Sequence, residues 1–191
     1  MSTTTTLSMP PPGTALAHAG AEAPCSLLRM AVGDDVLAVP IEDVREILQV
    51  SRLTPLPRTP ALVSGVMNLR GAVVPVIDLA ARLGRPATEV GRRSCIVVVE
   101  YHPHATSEDH EDDDAQAHGV FIVGLLVDGV FEVFDRQPGE IEPPPPLGTR
   151  IAPEFLRGMT RAGGALVGVL ALQQVLAPKV LAAAIAAYQP Q

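Results

Sequence analysis

Aromatic side chains make up only 3% of the 191 residues, and tryptophan is absent. Surfaces that hold single-stranded nucleic acid stack bases on aromatics, so this composition argues against that role. A basic patch is missing too. Fourteen Lys and Arg stand against 21 Asp and Glu, a formal charge of −7. Nothing resembles the cationic stripe that grips phosphate backbones. Six of the acids form one short run, Glu108, Asp109, Glu111, Asp112, Asp113 and Asp114, and without it the chain is nearly neutral. No apolar stretch is long enough to span a bilayer. Residues 1–24 mix Thr, Pro and Ala, with no basic start and no sustained apolar block, and so do not make a convincing signal peptide. The two cysteines, Cys25 and Cys95, lack CxxC spacing and read as ordinary thiols of a reducing compartment. The expectation is a soluble cytoplasmic protein. Its hydrophobic content of 47% supports a globular core built from Val, Leu, Ile and Ala.

What the chain does have is an internal repeat. Pro60–Leu83 (PALVSGVMNLRGAVVPVIDLAARL) aligns without a gap on Pro153–Leu176 (PEFLRGMTRAGGALVGVLALQQVL), an offset of 93 residues. Identical pairs include Pro60/Pro153, Gly65/Gly158, Gly71/Gly164, Val74/Val167, Val76/Val169 and Leu79/Leu172. A fainter echo lies upstream. Leu37 and Val39 match Leu125 and Val127, and Val44-Arg45-Glu46-Ile47 matches Val130-Phe131-Glu132-Val133, with two residues missing from the later copy. A period this long does not make a solenoid; it implies two related barrels or sheets. Positions that match hold the scaffold. Positions that differ are where one copy can carry a function.

Local signals predict many short strands. Ser26–Val32 and Val36–Val39 are joined at Gly33-Asp34-Asp35, a hairpin signal. The three-residue spacing of Ile41, Val44 and Ile47 predicts a short helical turn before or merging into a strand. Thr54–Pro60 is an extended connector, poor in hydrogen bonds because proline lacks the amide donor. Val63–Leu69 and Ala72–Ile77 form a second pair around the Arg70-Gly71 turn. Asp78 caps a short helix, Leu79–Leu83, that Gly84 stops. Further strands are Ser94–Tyr101, Val120–Val127 and Val130–Phe134; Pro143–Pro146 is a rigid spacer. Pro178 opens an Ala-rich helix, Lys179–Tyr188. The predicted fold class is all-β, a barrel or sandwich, which the duplication makes two small barrels packed on each other, with short helices and a C-terminal helix. Domain boundaries follow: a tail over 1–24, the folded unit over 25–177, and a C-terminal helix and tail over 178–191. Within the folded unit one copy of the repeat runs over about 36–84 and the other over about 120–177. Each copy is too short to bury much surface alone, so the two share an apolar seam.

Catalytic signals are few. No Ser, His and Asp stand in a Gly-x-Ser-x-Gly elbow. Gly158 and Gly163-Gly164 make no phosphate loop, because no Lys-Ser/Thr follows. The insertion over 102–119 concentrates His102, His104, His110 and His118 among the six acids. Imidazole and carboxylate suit zinc or nickel, but the spacing matches no closed structural site. The plain reading is an acidic loop; the rival is a ligand- or metal-binding regulatory module with this loop as sensor. Deleting Ser107–Ala117 separates the two.

Three stretches carry a family resemblance. They are Val36–Ile47; Pro55–Pro60 with Ser64–Leu79, which contains Asn-Leu-Arg-Gly and Pro-Val-Ile-Asp-Leu; and Gly124–Val133 with Ile141–Pro144. Together they resemble the CheW family of chemotaxis coupling proteins, over roughly Ser26 to Leu176. The resemblance implies two five-stranded SH3-like barrels, no catalysis and no cofactor. It implies an adaptor that bridges a chemoreceptor's cytoplasmic helical hairpin to the regulatory domain of a CheA-type histidine kinase, beneath membrane receptor arrays and without membrane insertion. A chain of 191 residues has no space for the kinase's phosphotransfer and ATP-binding domains, or for the receiver domain of a CheV-like fusion.

By matching position, the resemblance makes Arg70 the leading receptor contact. Val44 and Glu46 line the same groove, Asn68 and Leu69 complete the motif, and Gly65 and Gly71 serve its geometry. The kinase-binding positions stay unassigned. The repeat adds an independent observation: Arg70 aligns with Gly163, so the scaffold does not require arginine there. The plain alternative for Arg70 is an exposed turn residue. For Val44 and Glu46, read on alternate sides of a strand, it is a core valine and a solvated glutamate. The second copy departs from the family pattern at Ala171, which offers no helix cap.

Overall fold

The computed structural model describes residues 24–57, 59–102, 120–145 and 149–177. The expected N-terminal tail up to residue 23, the C-terminal helix and tail over 178–191, and residues 103–119 of the insertion, with His104, His110 and His118, lie outside the described residues. Ten strands form two five-stranded sheets. They are β1 Cys25–Val32, β2 Asp35–Pro40, β3 Val44–Gln49, β4 Val63–Leu69, β5 Ala72–Asp78, β6 Cys95–Tyr101, β7 Phe121–Val127, β8 Gly129–Arg136, β9 Leu156–Ala162 and β10 Ala165–Leu170. Helix α1 spans Leu79–Arg82 and α2 spans Leu172–Val175. A 3₁₀ turn over Ile41–Asp43 leads directly into β3, the helical turn that the spacing of Ile41, Val44 and Ile47 predicts.

One sheet has the order β8-β1-β2-β10-β9 and the other β3-β6-β7-β5-β4. Taken as copies of five strands each, the two orders are the same. Each copy gives its first hairpin to the sheet that holds the other copy's last three strands. The copies interlock: β2 pairs parallel with β10, and β7 pairs parallel with β5. Hairpins pair neighbours in sequence, whereas these parallel joints link the two copies. The repeat is exact in register. Val76 faces Gly65 and Val169 faces Gly158; each sheet has a bulge next to that glycine. Isolated bridges Thr54↔Val66 and Glu142↔Met159 pin the chain leading into β4 and β9 at matching points. The connector after β3 is therefore fastened at Thr54, whose N–H and C=O both pair with Val66 at 2.9 Å. This is more bonding than its prolines suggest.

The upstream echo needs correction. Ala38 faces Val169 and Gly124 faces Val76, so Ala38 and Gly124 are equivalent. Val44 faces Val99, and Val130 faces Met30. A single offset of 86 residues then relates β2 to β7 and β3 to β8, with no two-residue gap.

The core has three parts. Met67, Val74, Val76, Ile96, Val98 and Leu126 fill one barrel. Leu27, Ala38, Ala162, Val167 and Val169 fill the other. The seam between them takes Leu28, Met30, Leu37, Val97, Val99, Leu125, both short helices and their neighbours. Successive residues of a strand point to opposite faces. In β6, Ile96 and Val98 face the barrel while Val97 and Val99 face the seam, so both faces are covered and the strand reads as continuous Ile-Val-Val-Val. Each such valine contributes about 1.5 kcal/mol or more by leaving water.

Candidate functional site

The β4–β5 hairpin closes on two residues with positive φ, Arg70 at 53° and Gly71 at 92°. Its sister turn uses Gly163 at 57° and Gly164 at 79°. Two left-handed residues suit the twist of a two-residue hairpin, and glycine takes that conformation without a Cβ clash. Arg70 is the one non-glycine residue with positive φ among the described residues. A side chain in this conformation costs about 1–2 kcal/mol. The sister copy avoids that cost; this copy accepts it to hold a guanidinium at the hairpin tip. Asn68 has a shaping role here, since its Oδ1 accepts the Gly71 N–H at 2.9 Å. Leu69 packs down onto the barrel core.

Gly65 acts on the adjoining strand. A Cβ there would stand 2.5 Å from the Thr54 carbonyl oxygen, so only glycine lets the connector reach β4. That bridge carries the chain from β3 to the opposite edge of the sheet and brings β3 round to the hairpin tip. Glu46, on β3, meets Arg70 there. Arg70 Nη2 lies 3.3 Å from Glu46 Oε2; the arginine side chain is 77% exposed and the glutamate 19%. Glu46 is thus sheltered at the barrel's mouth, and the solvated alternative is overturned. Its second oxygen, Oε1, is buried without a hydrogen-bond partner. An ion pair with so exposed a partner adds roughly 0.5 kcal/mol, far too little to explain a strained arginine. Most of the Arg70 donor fork stays turned to solvent, in a geometry suited to carboxylate or carbonyl oxygens.

Val44 stands elsewhere. Residues two apart on a regular strand share a face. Here a bulge between Val44 and Glu46 shifts the register, with Val44 opposite Val99 and Glu46 opposite Val98. Val44 therefore packs into the seam while Glu46 faces the barrel mouth. The two do lie on alternate sides, and Arg70, Glu46, Asn68 and Leu69 form one corner without Val44.

The second barrel builds the same corner from different parts. Glu132, the equivalent of Glu46, pairs with Arg29 at 2.9 Å. Arg29 also donates to the Ala162 carbonyl and lies 4.9 Å from the Phe131 ring centre. A Cβ on Gly163 would come within 3.2 Å of Arg29 Nη1. Here the guanidinium arises from β1, so the hairpin tip stays glycine. Around this corner Phe131, Val133 and Leu166 are 50%, 48% and 52% exposed. Sequence reading passed over this face because Arg29 belongs to the other copy.

Between the barrels opens a cleft of about 620 Å³ lined by Pro40, Asp43, Tyr101, His102, Arg157 and Gln174, among others. Burial raises the Asp43 carboxyl above its ordinary range and Glu42 adds to the rise, while His102 and Arg157 oppose it. Of the four histidines weighed as metal ligands only His102 is described, and it is exposed. No group of three or more His, Cys, Asp and Glu stands together to hold a metal ion among the described residues. No helix among them is long and apolar enough to cross a membrane.

Known proteins share this architecture. The CheW-like domain family matches residues 26–179. The chemotaxis protein CheW of Rhizobium meliloti is 34% identical over 149 residues, covering 78% of this chain and 85% of the relative. The protein FrzA of Myxococcus xanthus is 36% identical over 133 residues, covering 70% and 72%. The crystal structure of the scaffolding protein TtCheW from Thermoanaerobacter tengcongensis superposes with a TM-score of 0.67 at 27% identity, covering 85% of this chain and 94% of that one. Matched in its domain, its relatives and its paired SH3-like barrels, the chain belongs to the CheW-like family of chemotaxis scaffolding proteins.

Proposed function

We propose that the chain is a non-enzymatic adaptor that couples the cytoplasmic helical hairpin of a chemoreceptor to the regulatory domain of a CheA-type histidine kinase. Its place is the cytoplasmic side of a receptor array, reached through protein contacts. The observation that carries this reading is the Arg70 corner. A guanidinium is kept in a left-handed conformation that the sister hairpin gives to Gly163, above a sheltered carboxylate with an unpaired oxygen. Such a corner suits the polar flank of a helix, whose carboxylate or carbonyl oxygens meet the exposed donors of the arginine while Glu46 holds it from the barrel side.

The second partner takes the face of the other barrel. Phe131, Val133 and Leu166 stay exposed there, and a buried aromatic anchor is what a protein interface uses. Pull-down with a receptor cytoplasmic fragment tests the first surface: Arg70→Glu abolishes capture and leaves the melting curve cooperative. Undiminished capture by that variant removes Arg70 from the site. Phe131→Glu is expected to lose kinase capture while keeping receptor capture.

A further inference from the structure

Building on the adaptor reading, we propose that Arg82 is a positioning residue that sets the angle between the two barrels and so joins the two partner faces into one rigid unit. The chain crosses from one sheet to the other at Ile41–Asp43 and returns at Asp128, between β7 and β8. Two short tethers and the shared seam core hold the barrels together, but apolar burial is non-directional, so polar ties across the seam are what set the angle. Arg82, at the end of α1, donates from Nε to the Val175 carbonyl and from Nη2 to the Gln174 carbonyl, both at 2.7 Å. Its guanidinium also stacks 4.5 Å from the Phe155 ring centre. The last carbonyls of a helix have no partners within it, and a cation there meets the negative end of the dipole. The first copy's helix thus holds the second copy's helix by its C-terminus.

The clasp is unsymmetrical. The repeat partner of Arg82 is Val175, the residue whose carbonyl it holds. The second copy therefore has no matching arginine to give back. Partial burial lowers the guanidinium's proton affinity and Glu154 opposes the change; an arginine keeps its charge regardless. Arg85 and Asp35 pair at 3.1 Å on the same flank, but as a single contact without the fork or the stack.

The test is an electron-spin distance measurement between labels at Gln49→Cys and Arg161→Cys, two exposed positions on different sheets, in a Cys25→Ser, Cys95→Ser background. The parent protein is expected to give one narrow distance. Arg82→Met, which keeps the stem and loses the fork, is expected to broaden and shift it. Arg82→Lys, which keeps the charge, is expected to fall between, and both variants still melt cooperatively. A distribution for Arg82→Met that superposes on the parent overturns the proposal, as does loss of folding in both variants. These distances need no partner, so the clasp can fail while Arg70→Glu still loses receptor capture, and the reverse holds as well.

Discussion

A single Cβ separates two glycines that look alike in the sequence. Gly65 and Gly71 both belong to the Arg70 hairpin and both have positive φ. Gly65→Ala would press a methyl group to 2.5 Å from the Thr54 carbonyl oxygen, whereas nothing lies within 4 Å of a Cβ at Gly71. Urea melts should show Gly65→Ala losing about 3 kcal/mol or more, because a backbone joint must open. Gly71→Ala should lose only about 1 kcal/mol, the cost of the left-handed backbone. Equal losses would contradict the close approach. Asp43 makes a pH prediction. Its folded carboxyl holds a proton to higher pH than the ordinary 3.8 of an unfolded chain. The native state then binds more protons just above that value, so stability falls as pH rises through the window and levels off beyond it. Stability curves should show this descent in the parent and a flatter line in Asp43→Asn. At this scale the sequence was legible where the copies differ: Arg70 against Gly163 stood out at once. The burial of Glu46 was not legible, because it depends on a bulge at Arg45 that no residue pattern announces.

At the scale of elements, the two helices are a controlled comparison. Asp78 caps α1 through Ala81 N–H, and it also accepts from Thr88 N–H and Oγ. Its repeat partner Ala171 gives α2 no side-chain cap. Thermal melts of Asp78→Ala should show a loss of about 2–3 kcal/mol, since several bonds to a buried carboxylate go at once. Ala171→Asp should gain about 1 kcal/mol by supplying the cap; a loss there would mean that the position has another duty. Strand existence was legible from Val-rich runs and Gly-Pro punctuation. The register of the echo was not. Leucine and valine alternate in these strands, and sliding an alternating pattern by two residues leaves its faces unchanged. Only the cross-strand partners Val76 and Val169 reveal the slip.

The whole molecule is two copies that cannot be separated. Each barrel takes two strands from one copy and three from the other, and the seam core runs through both. Fragments divided between α1 and β6 should therefore show no cooperative melt alone and recover one when mixed, followed by circular dichroism. An independently folding fragment would refute the interlock. This topology was invisible in the sequence, because a repeat shows which segments are alike but not which copy supplies a strand's neighbour. The central claim is that Arg70 is kept for binding at the expense of the fold. Arg70→Gly, which restores the sister copy's residue, tests it most directly when stability and receptor affinity are measured on the same sample. The account predicts a gain of about 1 kcal/mol in stability together with loss of receptor binding. A variant that binds the receptor as tightly as the parent would contradict it.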